Sequence, residues 1–259
     1  MDGLPVTSHM RRRVRCARPP LELAVASSPA DLQNCQRLRY MVFAEELGAE
    51  VEGADAGLDR DRFDAVACHL MVRDPASGRA VATTRFLLPE ATAQPGGSYA
   101  ELEFDLTQVR AQGLRLIEVG RTCIDPAYRS GPALALLWAG LAQALRDTGA
   151  DGLCGCVSLP MGGDGRYPYE VFAQLGSGPH MAPEHLRVHP RVPVPWPGGM
   201  PASEVILPAL LRAYLRLGAV VCGAPSWDVA FNVADLYILL DRGQVAWRHA
   251  RRFLRSSNA

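Results

Sequence analysis

The sequence predicts an α/β fold: a mixed β-sheet flanked by helices, with a C-terminal α/β extension. Three observations lead there. Apolar segments of strand length alternate with segments of helical spacing in the order β-α-β-β-β-α-β. At 259 residues, 48% of them hydrophobic, the chain can fill one large core. No internal repeat or low-complexity run divides it into an array.

Residues 1–20 form a basic tail with Arg11, Arg12, Arg13, Arg15 and Arg18, closed by Pro19-Pro20. Residues 21–26 alternate toward a first strand. Over 29–47, Leu32, Cys35, Leu38, Met41, Val42 and Leu47 recur at helical spacing, and 49–59 is a loop with Gly and acidic residues. Strands are expected at 65–73 and 79–88, joined by the turn Asp74-Pro75-Ala76-Ser77-Gly78. After a loop at 89–100, residues 114–124 make an aliphatic, β-branched strand stopped by Asp125-Pro126. Gly131-Pro132 opens a helix with proline in its first turn, which runs to Thr148 and ends at Gly149. A strand at 152–157 follows.

The core so defined covers 21–175. The extension, 176–259, starts with a proline-rich loop to 201. It adds a helix at 204–217, strands at 219–223 and 236–241, and a basic helix to Leu254. Residues 21–259 read as a single domain.

Charge narrows the function classes. Basic and acidic residues balance at 27 each, so no general nucleic-acid binder is expected. All 27 basic residues are arginine, which fits codon usage in a GC-rich genome, so each must be judged by its position. The seven cysteines are odd in number, and 1–20 has no apolar stretch of the secretory kind, so free thiols in a cytoplasmic setting are expected. The longest charge-free helical candidate, 130–145, is short for a membrane span.

Chemistry concentrates in 117–131, a strand, a turn and a helix start. Amide groups at a helix N-terminus, beside Arg129, Ser130 and Gly131, suit a phosphate. Glu118 and Arg121 are three apart on a strand, so they face opposite ways unless a bulge at Gly120 turns one. Without a bulge, the pair reads as a structural ion bridge to a neighbouring strand.

Here the sequence resembles the GNAT acyltransferase superfamily, and more closely its branch that uses acyl carrier protein. Arg39-Tyr-Met-Val-Phe43 resembles the Arg-x-x-x-Phe of N-acyl amino acid and acyl-homoserine-lactone synthases. Asp61-Arg-Phe-Asp64 followed by His69-Leu70 resembles their acidic segment ahead of the second strand. Thr84-Arg85-Phe86 and Glu118-x-x-Arg121 resemble their third- and fourth-strand motifs. Within that branch the chain is most similar to the L-ornithine N-alpha-acyltransferases of ornithine lipid synthesis. That similarity rests on Glu118-Val-Gly-Arg121-Thr-Cys-Ile-Asp-Pro-Ala-Tyr128-Arg129, on Leu136-Leu-Trp138-Ala-Gly140 and on Gly155-Cys-Val-Ser158. The stretches Tyr214 to Ala219, Gly223 to Pro225 and Phe231 to Asp241 add to it.

One departure has a physical meaning. Acetyl-CoA enzymes of the superfamily wrap a diphosphate with Gln/Arg-x-x-Gly-x-Gly/Ala, and counting from Arg129 this chain has Pro132 and Leu134 at the small positions. Fewer free amides and less room favour the single phosphodiester of a carrier protein's phosphopantetheine.

The resemblance then implies transfer of a 3-hydroxyacyl group from acyl carrier protein to the α-amine of L-ornithine, with no separate cofactor and no metal. Glu118 would be the base, with His69 as second choice, and Arg121 would orient the acidic cluster or contact the donor. Arg39 or Arg85 would hold the substrate carboxylate, and Asp64, or else Asp61, an amine. Phe43 and Ser158 would line the substrate pocket. Val119, Cys123, Tyr128, Arg129, Ser130 and Gly131 would meet the phosphopantetheine. The expected partners are acyl carrier protein and L-ornithine, with an anionic membrane surface contacted peripherally through the basic ends, and no nucleic acid.

Two other readings stand beside this one. An N-acyl amino acid or acyl-homoserine-lactone synthase would take another amine, although the tryptophans expected of a lactone synthase are missing between Phe43 and Phe63. A catalytically silent module would bind carrier protein or membrane, although Arg39, Asp64, Glu118 and Arg121 are all retained. Some residues are set aside: His180, His185 and His189 lie among prolines that break any helix aligning them, and Cys154 and Cys156 lack zinc-type spacing.

Overall fold

A computed structural model describes residues 20–130, 132–176, 178–196, 198 and 205–244. The basic tail, the basic C-terminal helix and Gly131 lie outside these described residues.

The first half holds β1 (Glu22–Val25), α1 (Pro29–Tyr40), β2 (Cys68–Asp74), β3 (Arg79–Leu87), α2 (Pro89–Thr92), β4 (Phe104–Asp105), α3 (Thr107–Ala111) and β5 (Leu116–Ile124). The second half holds α4 (Ala133–Thr148), β6 (Gly152–Pro160), α5 (Arg166–Gly176), β7 (His189–Pro190), α6 (Ala209–Leu217), β8 (Val220–Val221), β9 (Ser226–Asp228) and β10 (Val233–Asp241). The main sheet runs β1-β2-β3-β5-β6-β10-β8, with β9 also on β10, and β4 pairs β7 separately. β5 and β6 are parallel; the other pairings in the main sheet are antiparallel.

Local chemistry sets several boundaries. Ser28 caps α1 by accepting from the Asp31 amide at 3.1 Å, with Pro29 in the first turn. The helix predicted to Leu47 leaves α geometry after Tyr40 and finishes as a π-helical turn, Met41–Glu46. The strand predicted from 65 starts at Cys68, because Asp61 caps a 3₁₀ turn over Arg62–Ala65. Gly149 closes α4 at φ 62°, a conformation glycine adopts without strain.

Alternation along the strands builds a core on each face. Leu70 and Val72 of β2 pack with Ile117 under Leu137, Leu141 and Leu145 of α4. Met71 points the other way, to Cys35, Leu38 and Val42 of α1 and its continuation. Each such leucine contributes about 1.5–3 kcal/mol by leaving water.

The extension is not an appendage. β10 pairs with β6 along its whole length, Val233 opposite Pro160 to Asp241 opposite Gly152, so 176–259 supplies an interior strand of the main sheet. No helix among the described residues is long and apolar enough to cross a membrane.

Candidate active site

The site arises where two parallel strands part. β5 and β6 pair only from Leu116 and Gly152 to Glu118 and Cys154. Beyond that point they diverge, and β6 continues on β10 alone. Gly155 sits at the fork; a Cβ there would lie 2.2 Å from the Val119 carbonyl oxygen, so only glycine fits.

A bulge then turns Arg121. Arg85 pairs with Gly120 and Thr83 with Cys123, which leaves Thr84 facing both Arg121 and Thr122. Arg121 takes φ 50°, and Thr84 Oγ1 lies 2.7 Å from Thr122 Oγ1. The extra residue shifts the alternation: Ile117 and Val119 face α4, and so does Ile124, while Cys123 faces α1. Glu118 and Arg121 therefore line one cavity, the condition the spacing set, with the bulge one residue past Gly120.

That cavity, about 240 Å³, passes through the fork. Leu141, Leu153, Leu210, Tyr214 and Leu240 wall its apolar side. Phe43, Arg85, Tyr99, Glu118, Arg121, Ser158, Asp228 and Asp235 wall the polar side.

The polar wall is braced by buried ion pairs. Arg39 forks onto Asp64 at 2.9 and 2.7 Å, reaches Asp59 through Nε at 3.0 Å, and donates to the Asp59 carbonyl. Arg85 forks onto Asp61 at 2.6 Å to each oxygen and bridges to Asp64 at 2.7 Å. Burial alone would raise the Asp64 carboxyl, but Arg39 and Arg85 outweigh it and hold it well below the usual range. Asp61 is lowered in the same way, by Arg85 and Arg121 against burial. Arg121 meets Asp59 and Asp61, each at 3.3 Å, and its guanidinium lies between the Tyr99 and Phe231 rings, 5.0 and 4.4 Å from their centres.

Glu118 is 4% exposed and accepts from Ser98 Oγ at 2.5 Å and the Ala100 amide at 2.8 Å. Burial pushes its carboxyl above the usual range despite those bonds, a setting suited to proton transfer. A second acidic group sits across the cavity. The ligand atoms of Glu103, Asp235 and Cys156 all lie within 4.8 Å of one another. Burial, and then the Asp235 charge, raise Glu103 to about 10, and burial, with the Asp228 charge nearby, pushes Asp235 upward.

Several expected ligands lie elsewhere. Arg39, 1% exposed, is spent on Asp59 and Asp64 and does not line the cavity, so it cannot hold a carboxylate there. Asp64 is taken by Arg39, Arg85 and Gln36, which corrects its assignment to an amine. Asp61 likewise serves Arg85 and Arg121. His69 is buried behind the site, with Nε2 3.2 Å from the Asp64 carbonyl, and burial lowers its pKa. It does not reach the cavity as a base.

On the donor side, Val119 lines the cavity, but the Cys123 side chain packs inward against α1. Tyr128 donates to Asp74 at 2.7 Å, and Arg129 forks onto Glu46 at 2.7 and 2.6 Å. Ser130 is exposed just before α4. Phe43, Arg85 and Ser158 line the cavity. Asp59, Tyr99, Glu103, Asp228, Phe231 and Asp235 were missed. An acid inside the otherwise apolar run Val233-Ala-Asp-Leu-Tyr was the one sequence signal available for them.

Comparison with known proteins fits this geometry. A family model described as an acetyltransferase (GNAT) domain matches residues 38–139. An L-ornithine N(alpha)-acyltransferase of Rhodobacter capsulatus is 34% identical over 249 residues, 90% of this chain and 95% of that one. One of Rhizobium meliloti is 33% identical over 252 residues, covering 88% and 82%. Among solved structures, an N-acyl amino acid synthase from uncultured soil microbes superposes with a TM-score of 0.52 at 15% identity, covering 89% of this chain and 96% of that one. A CoA-dependent acyl-homoserine lactone synthase also gives 0.52, at 14% identity and 92% and 97% coverage. These two share the fold.

Proposed function

The chain belongs to the L-ornithine N(alpha)-acyltransferase family, on the GNAT fold, and from that premise we propose that it transfers a 3-hydroxyacyl group from acyl carrier protein to the α-amine of L-ornithine. The product is lyso-ornithine lipid. The observation that carries the reading is the fork, with an apolar channel on one side and Glu118 and Arg121 together on the other.

The thioester lies across the fork, its acyl chain against Leu141, Leu153 and Leu240. Glu118 takes one proton from the α-ammonium, directly or through water, because an ammonium has no lone pair to attack with. The amine nitrogen bonds to the thioester carbon. Backbone amides of the bulged segment Gly120 to Thr122 stabilise the oxyanion, the C–S bond breaks, and the thiolate leaves on the phosphopantetheine, taking up the second proton that the nitrogen sheds as the amide forms, while Glu118 returns the first to solvent.

Arg85 and Arg121 face the cavity and attract the ornithine carboxylate, while Arg39, Asp59, Asp61 and Asp64 fix their positions. The carrier's phosphate approaches the start of α4 near Ser130, where Arg129 must exchange Glu46 for it. The donor arm is the carrier's own, and no further cofactor is invoked. The basic ends, Arg11 to Arg18 and Arg242 to Arg255, favour an acidic carrier or an anionic membrane surface.

The test is incubation of the purified protein with 3-hydroxyacyl carrier protein, 3-hydroxyacyl-CoA and single amino acids, followed by mass analysis. N-acylornithine formed from the carrier thioester is expected. Product with another amino acid but not ornithine would overturn the acceptor, and faster turnover of the CoA thioester would overturn the donor.

A further inference from the structure

Among the described residues, no arginine or histidine forms an ion pair with Glu103 or Asp235. Every other buried acid around the cavity is matched: Asp59, Asp61 and Asp64 by arginines, and Glu118 by Ser98 and Ala100. Asp235 lines the cavity, is 3% exposed, and its Oδ1 lacks a hydrogen-bond partner among the described residues. Glu103 is 7% exposed, and among the described residues no N–H or hydroxyl donor reaches its carboxylate, which meets only the Asp235 carboxyl. Buried polar atoms left unmatched are uncommon in folded proteins and mark places where something else binds.

The backbone holds both in place. The Glu103 carbonyl accepts from the Arg191 amide at 2.7 Å and from Ser226 Oγ at 3.1 Å. Asp235 stands on β10, opposite Ser158 on one side and Ser226 on the other. Asp228, on the neighbouring strand, also lines the cavity and accepts from Tyr99 Oη at 3.3 Å. Three carboxyl groups thus converge where no arginine forks onto them.

We propose that Glu103 and Asp235, with Asp228 beside them, receive the side-chain ammonium of the acceptor and so select a diamino acid over a monoamino acid. The inference rests on ornithine being the acceptor and adds which residues recognise its second amine. An ammonium has three N–H donors and one positive charge, and these carboxyls lack both. With no acceptor bound, two adjacent buried carboxyls hold a proton between them, and the ammonium takes its place. Held there, the side-chain amine stays protonated and is no nucleophile, so acylation falls on the α-amine.

The experiment compares L-ornithine with L-norvaline, which has the same carbon skeleton without the second amine, in the parent and in Asp235→Asn and Glu103→Gln. Thermal unfolding verifies that both variants fold. The parent should prefer ornithine by at least about 100-fold in kcat/KM, as expected when a polar pocket is left unmatched by an analogue. In each variant that ratio should fall at least about tenfold, with the loss on ornithine residing in KM.

Ornithine acylated with an unchanged ratio in both folded variants overturns this inference and leaves the proposed function standing. A parent that acylates no amino acid overturns both. Activity abolished by a chelator and restored by zinc would overturn it in favour of a metal at Glu103, Cys156 and Asp235.

Discussion

Arg39 and Asp64 lie fork against carboxylate, Nη1 2.9 Å from Oδ1 and Nη2 2.7 Å from Oδ2, with both side chains almost out of solvent. Neither touches the cavity, yet Asp64 also bridges to Arg85, which does. Asp64→Asn would leave buried guanidinium charge unmatched, a loss of about 3–5 kcal/mol in denaturant melts. A variant as stable as the parent would mean that the bridge does not order the site.

Acid should unfold the protein through these same groups. Asp61 and Asp64 have lowered pKa values when folded, so the stability they contribute is present above the ordinary aspartate value of about 3.9. It is lost as pH falls through the folded values. Melts from pH 6 down to pH 2 should show the parent losing stability faster than Asp61→Asn.

Glu103 gives the opposite sign. Unfolded, it releases its proton near 4.5; folded, it keeps it to about 10, so stability falls as pH rises between those values. Glu103→Gln removes that dependence. Its Tm relative to the parent should climb from pH 5 to pH 9, and a constant difference would refute the shared proton.

Gly155→Ala would drive a methyl to 2.2 Å from the Val119 carbonyl oxygen, against backbone that cannot step aside. Overpacking of this kind costs about 1–3 kcal/mol. Because the strain falls at the fork, donor KM should rise in variants that remain folded. Unchanged donor kinetics would mean that the thioester does not cross there.

Arg121→Lys keeps the charge but loses the planar group lying between Tyr99 and Phe231 and its reach to both Asp59 and Asp61. A fall in kcat/KM of at least about tenfold is expected in steady-state assays. Near-parent turnover in both this variant and Glu118→Gln would remove the proposed chemistry.

The sequence made some of this legible and hid the rest for identifiable reasons. Glu118 and Arg121 were visible because they share one strand, and their common direction needed only a bulge. The acid cluster was not visible, because Tyr99 and Asp228 meet at 3.3 Å although 129 residues separate them. The sequence pattern places the last strand from Leu236; it begins at Val233, and Asp235, the acid in that apolar run, lines the cavity. Arg39 and Asp64 were placed on substrate by resemblance. Only their mutual distance shows that they bind each other.

The parting of β5 and β6 also makes the two halves of the chain interdependent. Past Cys154, β6 has β10 as its partner, and β10 carries one acid of the acceptor pole. A chain ended near 175 would be half a cleft rather than a smaller enzyme, its last strand raw along one edge throughout and along both past Cys154, and open to pairing with other molecules. The donor half and the acceptor half can therefore be inherited or exchanged only together.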